Sequence, residues 1–251
     1  MRVFLLPNGA ENGRDVEIRG KDFHYLAHVL RRRIGDRFQG ADPGGGRWEC
    51  RVAELGEDRL RLELQPGALE MEAGPALRLI QALPKGRKMD LIVRQATEAG
   101  VREIRPVFSR YSLSRLEDPA ERAGRRERWL RLAREAAQQS GGLRLPAIAE
   151  PAGLQETLLR ERSEGEARLI FHQDRLEAQS LHAALAGSPR WISLLIGPEG
   201  GFAEEEVALA RSLGFLPIAL GRRVWRTETA ALYAVAAVQS ILEEREAWIP
   251  V

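Results

Sequence analysis

Ile192-Ser-Leu-Leu-Ile-Gly-Pro-Glu-Gly-Gly-Phe202 is an apolar run that stops on a Gly/Pro turn and leads almost at once into Glu204-Glu-Glu206. The run has the length of a buried strand, the glycines free the backbone to turn, and the three carboxylates suit the positive end of a helix. The same order recurs where Leu216-Pro-Ile-Ala-Leu220 runs into Gly221-Arg-Arg-Val-Trp-Arg-Thr-Glu-Thr-Ala230 and a last helical stretch. Working outward, further strands are expected at Leu77–Leu83, Ile104–Phe108 and Arg168–Phe171. Helices are expected at Met89–Ala99, Ala120–Gln139, Gly153–Arg162, Ala178–Ala186, Glu204–Leu213 and Thr229–Glu246. Strands alternating with helices predict an α/β domain with a mainly parallel sheet. The two glycine turns are expected on adjacent strands, at the carboxyl ends where open parallel sheets bind ligands.

The first 65 or so residues read differently. Short strand-like runs at Arg2–Leu6, Val16–Arg19, Trp48–Leu55 and Arg59–Leu64 surround one short helix, Asp22–Leu30, and predict a small barrel. Arg59-Leu-Arg-Leu-Glu-Leu64 alternates charged and apolar residues, the mark of a strand with one wet face. Pro66–Pro75, rich in Gly and Pro, reads as a linker, which gives domains of residues 1–70 and 71–251.

Composition narrows the class without choosing an activity. Of 251 residues 44% are hydrophobic and 29% charged, ordinary for a folded soluble chain. No apolar run approaches the roughly 20 residues of a membrane span, and the opening apolar stretch ends at Pro7, too early for a secretory signal. A single cysteine, Cys50, excludes an internal disulfide and a cysteine-cluster metal site, and the chain reads as cytoplasmic. All but Lys21, Lys85 and Lys88 of its 38 basic residues are arginine. Arginine suits bidentate phosphate contacts, although a GC-rich genome or a thermophilic host would give the same bias. Neither glycine loop matches a Gly-Lys-Ser/Thr phosphate cradle or G-x-G-x-x-G.

Together the loops Leu195–Phe202 and Leu220–Ala230 resemble the SPOUT superfamily of S-adenosylmethionine-dependent RNA methyltransferases. Lys85-Gly-Arg-Lys-Met-Asp-Leu-Ile-Val-Arg-Gln-Ala-Thr-Glu-Ala-Gly-Val101 and Ile104-Arg-Pro-Val107 narrow the likeness to the RsmE family, bacterial 16S ribosomal RNA uridine N3-methyltransferases. Glu135-Ala-Ala-Gln-Gln-Ser140, Arg144-Leu-Pro146, and His28-Val-Leu-Arg31 with Gly35-Asp36 extend it over essentially the whole chain. The resemblance implies an N-terminal PUA-like β-barrel and a C-terminal α/β domain tied in a trefoil knot. It also implies a homodimer pairing through the knot region. The substrate it implies is one uridine of 16S ribosomal RNA, at position 1498 in the usual RNA numbering, within the 30S subunit. By position, the cofactor would meet Phe171, His172, Ile196, Gly197, Glu199, Gly201, Leu220, Gly221, Val224, Trp225, Arg226, Thr229 and Ala230.

Uracil N3 carries a proton at neutral pH, so its methylation needs a group that accepts the proton or stabilises the charge left on O2 and O4. Arg226 is assigned the stabilising role, and Glu228 is either a base or the residue that orients it. Thr227-Glu-Thr229 reads equally as the N-cap region of the last helix, and Glu199 as a turn residue beside Pro198 and Gly200. Trp225 lines the pocket or belongs to the core. Arg31, Arg32 and Arg33, together with Lys85, Arg87 and Lys88, are the candidate RNA contacts. Arg122–Arg134 is interleaved with acids and reads as solvated helix faces. His24 and His28 share a helix face but lack a third ligand, so a packed or RNA-facing pair is expected and no metal. Gly142 and Gln95 stand where the family commonly has Arg and Lys, which puts particular RNA contacts in doubt.

Overall fold

The computed structural model describes residues 3–7, 10, 15–42, 46–67, 74–112, 118–140, 144–160, 163–172, 180–187, 189–221 and 223–245. Most of the Pro66–Pro75 linker, Gly142 and several expected helix ends lie outside these residues. The chain forms two compact units, one of Met1–Glu72 with Arg134–Leu145, the other of Ala73–Ala133 with Pro146–Val251.

The first unit is built on strands β1 (Phe4–Leu5), β2 (Asp15–Arg19), β3 (Arg37–Ala41), β4 (Arg47–Leu55) and β5 (Arg59–Pro66), in the order β1-β3-β4-β5-β2. All neighbours are antiparallel except β1 and β3. The alternation in β5 is realised as expected. Leu60, Leu62 and Leu64 are buried, while Arg61 and Glu63 reach outward to pair with Glu54 and Arg51. Strand β3 escaped the sequence reading because Arg37-Phe-Gln-Gly-Ala41 carries little periodic signal. Its Gly40 is required by packing, since a Cβ there would sit 2.5 Å from Cys50 Sγ. Burial pushes the Cys50 thiol up to about 12, so it behaves as a small core hydrophobe.

Between β2 and β3 the helix α1 (Gly20–His24) continues into one π-helical turn, Tyr25–Val29. The Leu30 amide donates to the Tyr25 carbonyl, and the chain leaves the turn at Arg31 with φ +52°. His24 and His28 pack with ring centroids 5.0 Å apart, and His28 meets Phe23 edge-on. Among the described residues no group of three or more His, Cys, Asp or Glu is placed to hold a metal.

The second unit carries β6 (Ala76–Ala82), α2 (Lys88–Glu98), β7 (Glu103–Phe108), α3 (Pro119–Ser140), β8 (Ala147–Ile148), β9 (Ala152–Gly153), α4 (Leu154–Leu158), β10 (Glu166–Phe171), α5 (Leu181–Ala184), β11 (Trp191–Ile196), α6 (Glu204–Ser212), β12 (Phe215–Ile218) and α7 (Thr227–Arg245). Helix α3 passes from this unit into the first at Arg134. The sheet runs β12-β10-β11-β6-β7-β8, with β9 also on β7, and every pairing is parallel. Period-two burial divides the core. Leu77, Leu79, Leu169, Ile192 and Leu194 face α2 and α7, whereas Ile80, Ala82, Ile170 and Leu195 face α4 and α6.

Two expectations need correction here. The strands bearing the glycine turns are not adjacent, because β10 lies between β11 and β12. The arginines of α3 are also not simply solvated. Arg128 pairs with Asp90 at 2.6 Å, the Arg126 side chain donates to the Ile148 carbonyl, and Arg122 lies over the Phe108 ring. Near the amino ends of the strands, Arg78 is held between Glu103 (2.6 Å) and Glu166 (2.8 Å), and Arg168 also contacts Glu166. Burial alone would raise the Glu166 carboxyl, but the Ser193 hydroxyl, Arg168 and Arg78 hold it below the usual carboxylate range. Among the described residues no helix is long and apolar enough to cross a membrane.

Candidate active site

Three segments meet beyond the carboxyl ends of β10, β11 and β12, where parallel sheets leave backbone groups free for a ligand. They enclose a cleft of about 790 Å³, mouth included. From β10 come Phe171 and His172. From the loop after β11 come Ile196, Gly197, Pro198, Glu199, Gly201 and Phe202. Leu220, Gly221, Arg223, Val224 and Trp225 follow β12, and Thr227 and Ala230 belong to the start of α7. The walls mix apolar side chains with polar groups, His172, Glu199, Arg223 and Thr227 among them.

The glycines shape the cleft. Gly197 is packed so tightly that a Cβ would meet Gly201 Cα at 3.2 Å and the Phe202 ring at 3.3 Å. Gly201 has φ +71° and Gly221 φ +90°, a region L side chains rarely enter. The Gly201 amide donates to the Pro198 carbonyl and closes the turn. Trp225 is pinned by its indole N–H, which donates to the Leu220 carbonyl at 3.0 Å, and it stacks on Tyr233.

Most of the cofactor contacts expected from sequence lie on this cleft, but Arg226 and Thr229 do not line it. Arg226 is exposed, and its carbonyl accepts the Ala230 amide at 2.8 Å, the first bond of α7. Pro198, Phe202, Arg223 and Thr227 line it without having been singled out. The signal for Arg223 was its place in the same loop. Thr227 was hidden by its resemblance to a helix cap. Its hydroxyl instead donates to the Gly197 carbonyl at 2.6 Å and accepts from Gln81 Nε2 at 3.0 Å, which ties α7 to the β11 loop and to β6.

A charged cluster borders the cleft. Lys88 Nζ donates to Glu199 Oε1 at 2.7 Å and lies 3.4 Å from Glu228 Oε2. Glu199 also accepts the Lys85 backbone amide, which belongs to another loop, as well as its own. Partial burial pushes Glu199 up, yet the Lys88 ammonium and the amides hold it below the ordinary carboxylate range. Lys88 is correspondingly raised by its bond to Glu199. Among the described residues Glu228 Oε2 is buried without a hydrogen-bond donor and lies within ion-pair range of Lys88. Of the other expected RNA contacts, Lys85 and Arg87 are exposed. In the first unit Arg31 and Arg33 are exposed, while the Arg32 guanidinium lies over the Phe38 ring at 5.0 Å.

A family profile described as an RNA methyltransferase domain matches residues 72–239, and one described as an RNA methyltransferase PUA domain matches residues 18–65. A Ribosomal RNA small subunit methyltransferase E from Synechocystis sp. is 35% identical over 223 residues, 88% of this chain and 71% of the relative. Its counterpart from Bacillus subtilis is 28% identical and is covered over 94% of either chain. A crystal structure of a Ribosomal RNA small subunit methyltransferase E from Neisseria gonorrhoeae bound to S-adenosyl methionine superposes with a TM-score of 0.83 at 29% identity, covering 96% of this chain and 98% of that one.

Proposed function

Because the chain belongs to the ribosomal RNA small subunit methyltransferase E family, we propose that it methylates N3 of a single 16S ribosomal RNA uridine, position 1498, using S-adenosylmethionine. The observation that carries this reading is the cleft built from the three carboxyl-end loops of β10, β11 and β12. Its mixed apolar and polar walls suit a nucleoside, the turns at Gly197 and Gly201 bring backbone groups close, and Glu199 offers a negative charge to a cationic ligand. The cofactor, when bound, supplies an already reactive methyl group, so the chain's main task is alignment.

Phe171, His172, Ile196, Gly197, Glu199, Gly201, Leu220, Gly221, Val224, Trp225 and Ala230 would hold the cofactor, joined by Pro198, Phe202, Arg223 and Thr227. Arg226, exposed just before α7, is free to reach a base and stabilise charge developing on O2 and O4. Glu228, with one carboxylate oxygen lacking a hydrogen-bond donor, takes the N3 proton. Arg31, Arg33, Lys85 and Arg87 would meet RNA phosphates, within an assembled 30S subunit in the cytoplasm. Homodimer formation and the knotted threading belong to the same reading. Val224, Leu232 and Tyr233 supply exposed apolar surface near the last loop, with Val224 77% exposed.

Methylation at N3 removes the uracil's Watson–Crick donor, whereas ribose methylation leaves it. Reverse transcription of 16S RNA from treated, previously unmodified 30S subunits is therefore expected to stop at the target uridine. Methyl incorporation with full read-through would instead assign a ribose 2′-O-methyltransferase. Absence of both incorporation and cofactor binding would leave an RNA-binding assembly factor.

A further inference from the structure

Lys88 sits where three separate pieces of chain converge. It opens α2, while Glu199 belongs to the loop after β11 and Glu228 to the first turn of α7. Its ammonium is 2.7 Å from one carboxylate and 3.4 Å from the other. The three side chains are only 32%, 25% and 14% exposed, so solvent screens them less than it would a surface pair. Together they carry one net negative charge, a poor environment for a phosphate and a good one for a cation. We propose that Lys88 is a positioning residue of the methyl-transfer site, a clamp that fixes Glu199 and Glu228 in one arrangement rather than a contact to RNA phosphate.

The consequence is electrostatic. With the ammonium in place, both carboxylates are held in one arrangement before the reaction and neither needs to move as charge shifts. Without it, two carboxylates share one partly buried space, and like charges raise the pKa of at least one of them. Lys85 meets Glu199 through its backbone amide, a contact that the variants below leave in place. His172 and Arg223 line the same cleft but are unchanged in the variants below and cancel in the comparison.

This inference rests on the methyltransferase reading, so its test has arms that do not depend on turnover. Lys88→Met and Lys88→Arg are compared with the wild-type protein, with thermal melting used to check that all three are folded. Binding of S-adenosylmethionine to the RNA-free protein, followed by calorimetry across pH, is expected to lose affinity at a pH about one unit higher in K88M. K88R should follow the wild type. Affinity for 30S subunits, and its slope against salt, should remain within about twofold in K88M. The single-turnover methylation rate at saturating 30S should fall by about tenfold or more and be largely restored in K88R. The clamp is overturned if K88M weakens 30S binding severalfold and lowers the salt slope by about one while the single-turnover rate holds, the behaviour of a phosphate contact. It is equally overturned if the acid limb of cofactor binding does not move. Should the wild type bind the cofactor but methylate no 30S subunit, the substrate assignment fails while the calorimetric arm still decides the role of Lys88.

Discussion

Thr227 occupies the first position of α7, where a threonine hydroxyl ordinarily bonds within its own helix terminus. Here it bonds to the Gly197 carbonyl and to Gln81, and the residue is 3% exposed. Replacing it with Val keeps the shape but removes the donor to the Gly197 carbonyl and leaves Gln81 Nε2 its bond to the Ala82 carbonyl in place of two, a cost of about 1–3 kcal/mol. T227V should therefore melt earlier and bind S-adenosylmethionine more weakly, while T227S stays near wild type in both melting and calorimetry. Unchanged binding in T227V would remove this tether from the account. At this scale the sequence was partly legible. The glycines and aromatic residues of the cleft announced themselves by following strands. The hydroxyl's true partner, by contrast, lies 30 residues away in Gly197, and a capping motif three residues long carries no information about a carbonyl that far off.

Among the elements, the sheet of the second unit shows how a parallel fold tolerates charge. Glu166 is buried at the first position of β10 between Arg78 and Arg168. Its carboxyl is held below the ordinary range, so the stability it confers is present above the unfolded value of about 4.3 and disappears as pH falls through the lower folded value. In E166Q Arg78 and Arg168 both lose this carboxylate, Arg78 keeping Glu103, which should cost about 3 kcal/mol at neutral pH. Urea unfolding between pH 7 and pH 3 should show that loss together with a shallower acid decline. An acid limb parallel to that of the wild type would contradict it. The elements themselves were readable wherever periodicity was strong, as in β5, β11 and α2. Strand β3 was not, because Gly40 is dictated by the sulfur of Cys50 across the sheet rather than by any local pattern. The separation of β11 from β12 was not readable either, since strand order is set by how the connections pass and leaves no mark on either strand.

Across the whole molecule, sequence likeness and geometry reach the same reading from opposite directions. The loops that carry the family resemblance are those that close the cleft, and the matched profiles cover residues in both units. The arginine-rich composition alone distinguished nothing. In the fold many of those arginines pair with acids or lie over aromatic rings, as Arg78 does with Trp191 and Arg128 with Asp90. Others, such as Arg31, Arg33, Lys85 and Arg87, are exposed, and only exposed basic groups can meet a phosphate backbone. The central claim is the reaction itself. The most direct measurement is transfer of tritium from labelled S-adenosylmethionine to 30S subunits that lack the modification, followed by digestion to nucleosides. Label recovered as 3-methyluridine is the predicted result, and label in any other nucleoside, or none in the RNA despite bound cofactor, would contradict it.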